Sequence, residues 1–172
     1  MKLIEALRKE YQKDYVSLMP TNLYGPNDNF DLESSHVLPA MIRKFHEAKI
    51  NGNSPVKLWG SGKPMREFLH VDDLAQALIF ALENTLPEAL YNVGTGVDVT
   101  IKELAEIIQT ITNHQGVIIW DPDKPDGTPK KLMNSSKIKK LGWSPLYSLK
   151  EGINHTYQWY LAQGKNLRIL KL

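Results

Sequence analysis

The chain has 172 residues, of which 42% are hydrophobic and 23% are charged, and its formal net charge is +2. So small a charge does not indicate nucleic acid as a partner, and no apolar run approaches the roughly 20 residues of a membrane span. There are no cysteines, which excludes disulfides, thiolate metal ligands and a cysteine nucleophile. We therefore expect a soluble cytoplasmic protein without a metal, whose ligand is a modest anion.

Apolar residues near the start of the chain recur at helical spacing, through Leu3, Leu7 and Tyr11. This pattern predicts a helix over residues 2–13. The helix leads at once into residues 15–19, a short apolar run typical of a buried strand. We therefore expect the chain to begin within a βαβ unit.

The rest of the chain alternates predicted helices with predicted strands. Helices are expected over residues 36–49, 74–83, 100–112, 135–141 and 148–160, and strands over residues 56–59, 68–71, 90–93 and 117–120. This alternation predicts the α/β class. The last dozen residues are expected to form a tail that frays.

Several helix starts carry capping signals. Thr100 and Ser148 each precede a glutamate by three residues, which is the spacing of a capping box. Asp72 or Asp73 is placed to cap the helix predicted over residues 74–83.

Signals for a phosphate-binding loop are weak. No glycine-rich dinucleotide loop and no P-loop follows a predicted strand. The turn at residues 94–96, Gly-Thr-Gly, has the strand–turn–helix setting but only two glycines, so we interpret it as a structural turn.

A more specific segment covers residues 19–26, Met-Pro-Thr-Asn-Leu-Tyr-Gly-Pro. It runs from the end of a predicted strand into a long loop that reaches residue 35. Ligands bind at this place in open α/β sheets, and loops of that length are often functional. On the residues alone, a proline-stiffened turn is the alternative interpretation.

Four further strings accompany this segment: Trp-Gly-Ser-Gly at 59–62, Pro-Met-Arg-Glu-Phe-Leu-His-Val-Asp-Asp at 64–73, Asn-Val-Gly-Thr-Gly at 92–96 and Lys-Pro-Asp-Gly-Thr-Pro at 124–129. Together they resemble the GDP-L-fucose synthase family of extended short-chain dehydrogenases, in consistent order over residues 2–160. The resemblance implies the C-terminal part of such a fold, with the last strand and helix of a Rossmann sheet and a small mixed α/β substrate domain. Residues 1–35 would be the remnant of the NADP-binding domain. Residues 36–172 would form mainly the GDP-sugar-binding lobe, with some strands returning to the Rossmann sheet.

The activity implied by the resemblance converts GDP-4-keto-6-deoxy-D-mannose to GDP-L-fucose by 3,5-epimerisation and NADPH-dependent reduction of the 4-ketone. His36 matches the family's acid for epimerisation, a role that suits imidazole because it titrates near neutral pH. The matching family histidine also lies beside the cofactor. Without its flanking motif, such a histidine would be a solvent-exposed residue at a helix start.

The same resemblance implies two groups of ligand contacts. The nicotinamide end of NADP(H) would be lined by Pro20, Thr21, Asn22 and Leu23. The GDP-sugar would be bound by Lys44, Trp59, Arg66 and Asp126. A guanidinium has the planar donors that a diphosphate needs, an indole offers a large apolar face, and a carboxylate accepts hydrogen bonds from sugar or base groups. The alternatives are a surface arginine, a core tryptophan and a turn aspartate.

Two positions depart from the family pattern. The family often has arginine where this chain has Lys44, and neighbouring Arg43 is an alternative for the same role. Asn134 stands where an aspartate is common in the family.

The family's catalytic Tyr-x-x-x-Lys pair and its epimerisation cysteine have no match in this chain. We therefore expect the isolated chain to be inactive and to bind NADP(H) weakly or not at all. Apolar faces on the first helix and on residues 15–19 need a partner, which favours a homodimer. The alternatives are another extended short-chain dehydrogenase acting on UDP-sugars as an epimerase or dehydratase, and a non-catalytic nucleotide-sugar-binding module.

Overall fold

The computed structural model describes residues 2–164, so the final eight residues of the predicted tail and of the predicted 36–172 lobe lie outside it. The helices within the described residues are α1 (Lys2–Tyr11), α2 (Val37–Ile50), α3 (Val71–Glu83), α4 (Ile101–Thr112), α5 (Ser136–Lys140) and α6 (Leu149–Gln163). The strands are β1 (Ser17–Pro20), β2 (Asn22–Tyr24), β3 (Val56–Trp59), β4 (Met65–His70), β5 (Leu90–Val93), β6 (Asp98–Thr100), β7 (Ile118–Asp121) and β8 (Lys130–Lys131). Their alternation confirms the predicted α/β class. Across residues 2–164, no helix has the length and apolarity to cross a bilayer.

The strands form three small sheets, and β4 is the hub of the largest. β4 pairs in parallel with β2 and β8 and antiparallel with β6. The other two sheets are parallel pairs, β1 with β5 and β3 with β7. Both parallel and antiparallel pairing therefore occur, as expected for a mixed α/β substrate domain.

The larger hydrophobic core lies between α2, α4, α6 and the β3–β7 pair. Phe45, Ile108 and Ile153 are fully buried there, one from each of the three helices. Burying one side chain of this size stabilises the folded protein by about 1.5–3 kcal/mol relative to leaving it exposed. The core therefore fixes the direction of α2, the helix whose first turn faces the candidate site.

A second core joins the beginning of the chain to its later half. Leu69, Ala77, Val93 and Ile138 are buried in it, and Leu18 from β1 packs against them. Strand β5 returns to pair with β1, so segments far apart in sequence form one unit. The domain division at residue 35 stays a prediction.

The capping predictions have mixed outcomes. Thr100 and Ser148 both form complete capping boxes, as predicted. The prediction that Asp72 or Asp73 caps α3 is wrong, because the N-cap is His70, whose Nδ1 accepts the Asp72 N–H at 3.2 Å. Asp73 is instead buried in the first turn, where its carboxylate accepts the backbone N–H of Leu146 at 2.7 Å.

Three strands were absent from the sequence prediction. They are β2, β6 and β8, with three, three and two residues. Segments this short show no period of alternation, so only their pairing with β4 defines them. The predicted loop over 21–35 therefore begins with a strand that is hydrogen-bonded to β4.

Candidate ligand-binding site

An open cavity of about 800 Å³ runs along the parallel strands β2 and β4 and includes the loop at the carboxyl end of β2. Ligands bind at the carboxyl ends of strands in parallel α/β sheets. The predicted site residues that line it are Thr21, Asn22, Leu23, His36 and Arg66. Pro20 lies just before them as the last residue of β1 and is not among the lining residues.

His36 is the N-cap residue of α2, and its side chain makes no capping hydrogen bond. The residue is exposed toward the cavity, so its imidazole nitrogens are available to a ligand. Helix α2 fixes the backbone of His36 at the cavity wall. This placement is compatible with the acid role that the resemblance implies.

Thr21 and Asn22 line the cavity, and their side chains also bond to the backbone of β4. The Thr21 hydroxyl and the Asn22 amide nitrogen donate to the backbone carbonyl of Glu67, at 3.3 Å and 2.7 Å. These bonds fix the chain where β1 passes into β2. Thr21 and Asn22 are therefore held rigidly beside the cavity.

Glu67, which the sequence analysis missed, is a fully buried carboxylate at the centre of this region. It accepts the backbone N–H of Gly96 at 2.6 Å and that of Met133 at 3.0 Å. A Cβ atom on Gly94 would lie 2.4 Å from a Glu67 carboxylate oxygen, so only glycine fits there. Glu67 thus fixes the Gly-Thr-Gly turn, which is structural as interpreted from the sequence.

Arg66 precedes Glu67 on β4 and lines the cavity together with His36. Its Nη1 donates to the carbonyl of Met65 at 2.7 Å. A Cβ atom on Gly127 would lie 3.7 Å from Arg66 Nη2, so the guanidinium reaches the loop that carries Asp126. Arg66 therefore connects the cavity with the neighbouring loop.

Asp126 is committed to a turn. Its carboxylate accepts the backbone N–H of Ser61 at 2.6 Å and the Ser61 hydroxyl at 2.7 Å. Both bonds lower the pKa of Asp126 and keep it ionised, and the bond from the Ser61 hydroxyl has the larger effect. They also place the loop after β7 against the turn that follows Trp59.

Trp59 is a surface residue, with 67% of its area exposed, so the alternative of a core tryptophan is wrong. Lys44 Nζ lies 5.9 Å from the centroid of its ring, and Lys124 Nζ lies 5.5 Å from it. Such cation–π contacts contribute about 0.5–1 kcal/mol each at exposed sites. An exposed indole flanked by two ammonium groups suits a ligand that has both an aromatic base and phosphates.

The geometry distinguishes Lys44 from Arg43. Arg43 donates from Nε to Glu47 at 2.7 Å and from Nη1 to the carbonyl of Phe30 at 3.2 Å, so it serves the fold. Lys44 lies on the Trp59 side, and burial lowers its pKa. Lys44 is therefore the better candidate for a substrate contact.

His70, Asp72 and His155 come within 4.8 Å of one another, the spacing of a potential metal site. His70 Nδ1 already accepts the Asp72 N–H, and His70 Nε2 lies 3.2 Å from His155 Nδ1. Neutral imidazole has a single lone pair, which His70 uses for the helix cap. We therefore assign this cluster to the fold, and the absence of a metal stays a prediction.

The fold is α/β, and its main cavity has a histidine and an arginine on its walls beside parallel strands. Residues 1–94 match the model of the NAD dependent epimerase/dehydratase family. Because this match covers more than half of the 172 residues, the chain belongs to that family.

Curated relatives of the chain have more specific names. The chain is 56% identical to a putative GDP-L-fucose synthase 2 of Arabidopsis thaliana over 94% of its own length and 49% of the relative's. It is 49% identical to the GDP-L-fucose synthase of Escherichia coli over 98% of its length and 55% of the relative's. The chain thus spans about half the length of the curated relatives it matches.

Solved structures agree with these relatives. A GDP-L-fucose synthetase from Naegleria fowleri bound to NADP superimposes with a TM-score of 0.87 at 30% identity, covering 97% of this chain and 53% of that one. A UDP-glucose 4-epimerase from Thermotoga maritima superimposes with a TM-score of 0.79 at 27% identity, covering 95% of this chain and 51% of that one. The predicted resemblance and the extended short-chain dehydrogenase fold are confirmed.

Removing the Glu67 carboxylate tests its central position. We expect Glu67→Ala to lower the free energy of unfolding by about 3 kcal/mol, because two buried backbone N–H groups lose a charged acceptor. Urea unfolding measures this loss. Exposed Glu83 provides the matched control, and Glu83→Ala should change stability by less than about 0.5 kcal/mol. Equal effects of the two substitutions would contradict the assignment.

Proposed function

We propose that this chain is the sugar-nucleotide-binding half of a GDP-L-fucose synthase. In such an enzyme it would bind GDP-4-keto-6-deoxy-D-mannose and supply His36 as an acid for 3,5-epimerisation. NADPH bound mainly by the other half would then reduce the 4-ketone. The observation that carries this proposal is the path formed by the loop of residues 124–127, which approaches Arg66 at the cavity through Gly127 and Trp59 through Lys124.

That path matches the layout of a nucleotide-sugar. His36 at the cavity suits the sugar, where a proton must be transferred, and Arg66 suits the diphosphate because its fork of donors binds two oxygens at once. Lys44 and Trp59, with Lys124 beside them, suit the far phosphate and the base. Asp126 and Ser61 hold the turn between these two ends.

The cofactor contacts fit the same arrangement. Thr21, Asn22 and Leu23 lie on the cavity wall that His36 shares, where a nicotinamide ring would meet the sugar. Pro20, the last residue of β1, would contribute by setting the direction of the backbone that leads to Thr21 and Asn22. With so few contacts we infer weak NADP(H) binding by this chain alone. The cytoplasmic location stays a prediction.

Titration calorimetry with GDP and UDP tests the proposal. We expect the chain to bind GDP and GDP-fucose, and to bind UDP much more weakly. Lys44→Ala should weaken GDP binding by about tenfold, the loss of roughly 1.4 kcal/mol of charge-assisted bonding. Lys49→Ala, which removes another lysine from α2, should leave the affinity unchanged.

Each other outcome has a distinct meaning. Preference for UDP would favour a UDP-sugar epimerase or dehydratase. The similarity to the UDP-glucose 4-epimerase of Thermotoga maritima is the observation that supports this alternative. Binding to neither nucleotide by a folded chain would contradict the proposal.

Turnover distinguishes an enzyme half from a complete enzyme. These 172 residues contain neither a glycine-rich dinucleotide loop nor the Tyr-x-x-x-Lys pair. We therefore expect no oxidation of NADPH when the purified chain is mixed with the keto-sugar. Measurable loss of NADPH absorbance that depends on both substrates would contradict this expectation. GDP binding without turnover would also be the behaviour of a non-catalytic binding module.

Self-association is the remaining proposal. Helix α1 has no buried residue, Leu3 is 71% exposed, and β5 is the only partner of β1 among the described strands. We expect sedimentation velocity to show a dimer, and Leu3→Lys to shift it toward the monomer. Leu146→Lys, at an exposed loop leucine, is the control and should leave the dimer intact. A wild-type monomer would contradict the proposal.

A further inference from the structure

Lys124 is a ligand contact that the family resemblance did not indicate. It is an exposed residue on the loop between β7 and β8, and its Nζ lies 5.5 Å from the centroid of the Trp59 ring. The proposed function uses Lys124 only as a positive charge beside the indole. An ammonium group at the edge of a stacking surface can also distinguish one base from another.

The backbone on both sides of Lys124 is anchored near Trp59. Trp59 and Asp121 are paired residues at the ends of the parallel strands β3 and β7, so the loop after β7 begins next to the indole. The Lys124 N–H donates to the carbonyl of Asp121 at 3.2 Å, which closes a turn. Further along the loop, the carboxylate of Asp126 accepts two bonds from Ser61, in the turn that follows Trp59.

Two other lysines of this region have partners within the protein. Lys57 Nζ forms an ion pair with Asp121 at 2.9 Å. Lys44 Nζ donates to the carbonyl of Lys57 at 3.4 Å and lies 5.9 Å from the centroid of the Trp59 ring. Of the two lysines over the indole, Lys124 therefore has the nearer Nζ, and it approaches from a loop, whereas Lys44 approaches from α2.

Stacking on Trp59 would not by itself select a base. Every base has a π-face, so stacking on an aromatic side chain tolerates any of them. Selection between purines needs a polar group at the edge of the base. Guanine presents the acceptors O6 and N7 on one edge, whereas adenine presents the acceptor N7 beside the donor N6 amino group. An ammonium group has donors and no acceptor, so it suits guanine and disfavours adenine.

We propose that Lys124 selects guanine by donating hydrogen bonds to O6 and N7 of a base stacked on Trp59. This inference rests on the proposed function, in which the base of a GDP-sugar lies at Trp59. Lys44, on the α2 side, would bind a phosphate, which all nucleoside diphosphates share. Lys124 therefore sets the preference among bases, and Lys44 contributes to the affinity for all of them.

Titration calorimetry with GDP and ADP tests this division of roles. We expect the chain to prefer GDP over ADP by about tenfold or more, and Lys124→Ala to reduce that preference to about twofold by weakening GDP binding alone. Lys124→Arg should retain the preference, because a guanidinium also donates to O6 and N7. A wild-type chain without the preference, or an unchanged preference in Lys124→Ala, would overturn the inference.

Inosine diphosphate identifies which edge of the base is recognised. Its base has the O6 and N7 acceptors of guanine but lacks the 2-amino group. We therefore expect inosine diphosphate to bind about as tightly as GDP. An affinity as low as that for ADP would mean that the 2-amino group is recognised instead, which would also overturn the role of Lys124.

Two control variants separate base selection from a general loss of charge. Lys44→Ala should weaken GDP and ADP binding by the same factor, so the ratio of the two affinities stays constant. Lys63→Ala, which removes an exposed lysine from the turn after Trp59, should also leave the ratio constant. Absence of binding to all three nucleotides by the folded chain would contradict the proposed function as well. GDP binding with equal ratios in the wild type and in Lys124→Ala would contradict only this inference.

Discussion

The buried carboxylate of Glu67 is the interaction on which the candidate site depends. Its side chain binds backbone N–H groups of two separate loops, and its own carbonyl binds the side chains of Thr21 and Asn22. A carboxylate without such partners would be costly to bury, whereas one that accepts charge-assisted bonds fixes its surroundings strongly. Arg66 is its direct neighbour on β4 and lines the cavity from a strand that pairs with three others.

The site is assembled where the two hydrophobic cores meet. Helix α2 brings His36 and Lys44 from the larger core, while the segment from β1 into β2 comes from the smaller one. Strand β4 belongs to both, because Phe68 packs in the first core and Leu69 in the second. Alternation along a strand sends neighbouring side chains to opposite faces, which lets one strand join both cores.

Much of this architecture could be predicted from the sequence, and the limits have physical causes. The helices with strong periodicity and the capping boxes at Thr100 and Ser148 were predicted close to their observed bounds. The strands of two or three residues were missed because they exist through pairing alone. The site residues came from a family resemblance and not from local pattern. Glu67 escaped notice because a glutamate in a strand usually faces solvent, and only the tertiary fold shows its donors. The N-cap of α3 was also predicted wrongly, as Asp72 or Asp73, because only the tertiary fold shows that His70 caps this helix.

The partners of Glu67 also have a consequence for the order of events during protein synthesis. They come from Gly96 and from Met133, residues far downstream of the strand that carries the carboxylate. While the ribosome has made only the first of these, the acid has half of its backbone donors and remains better solvated by water. Burial of Glu67 with both of these donors therefore requires the chain as far as Met133. A chain that ends before Met133 has only one of the two backbone N–H groups that the buried Glu67 carboxylate accepts in the folded protein.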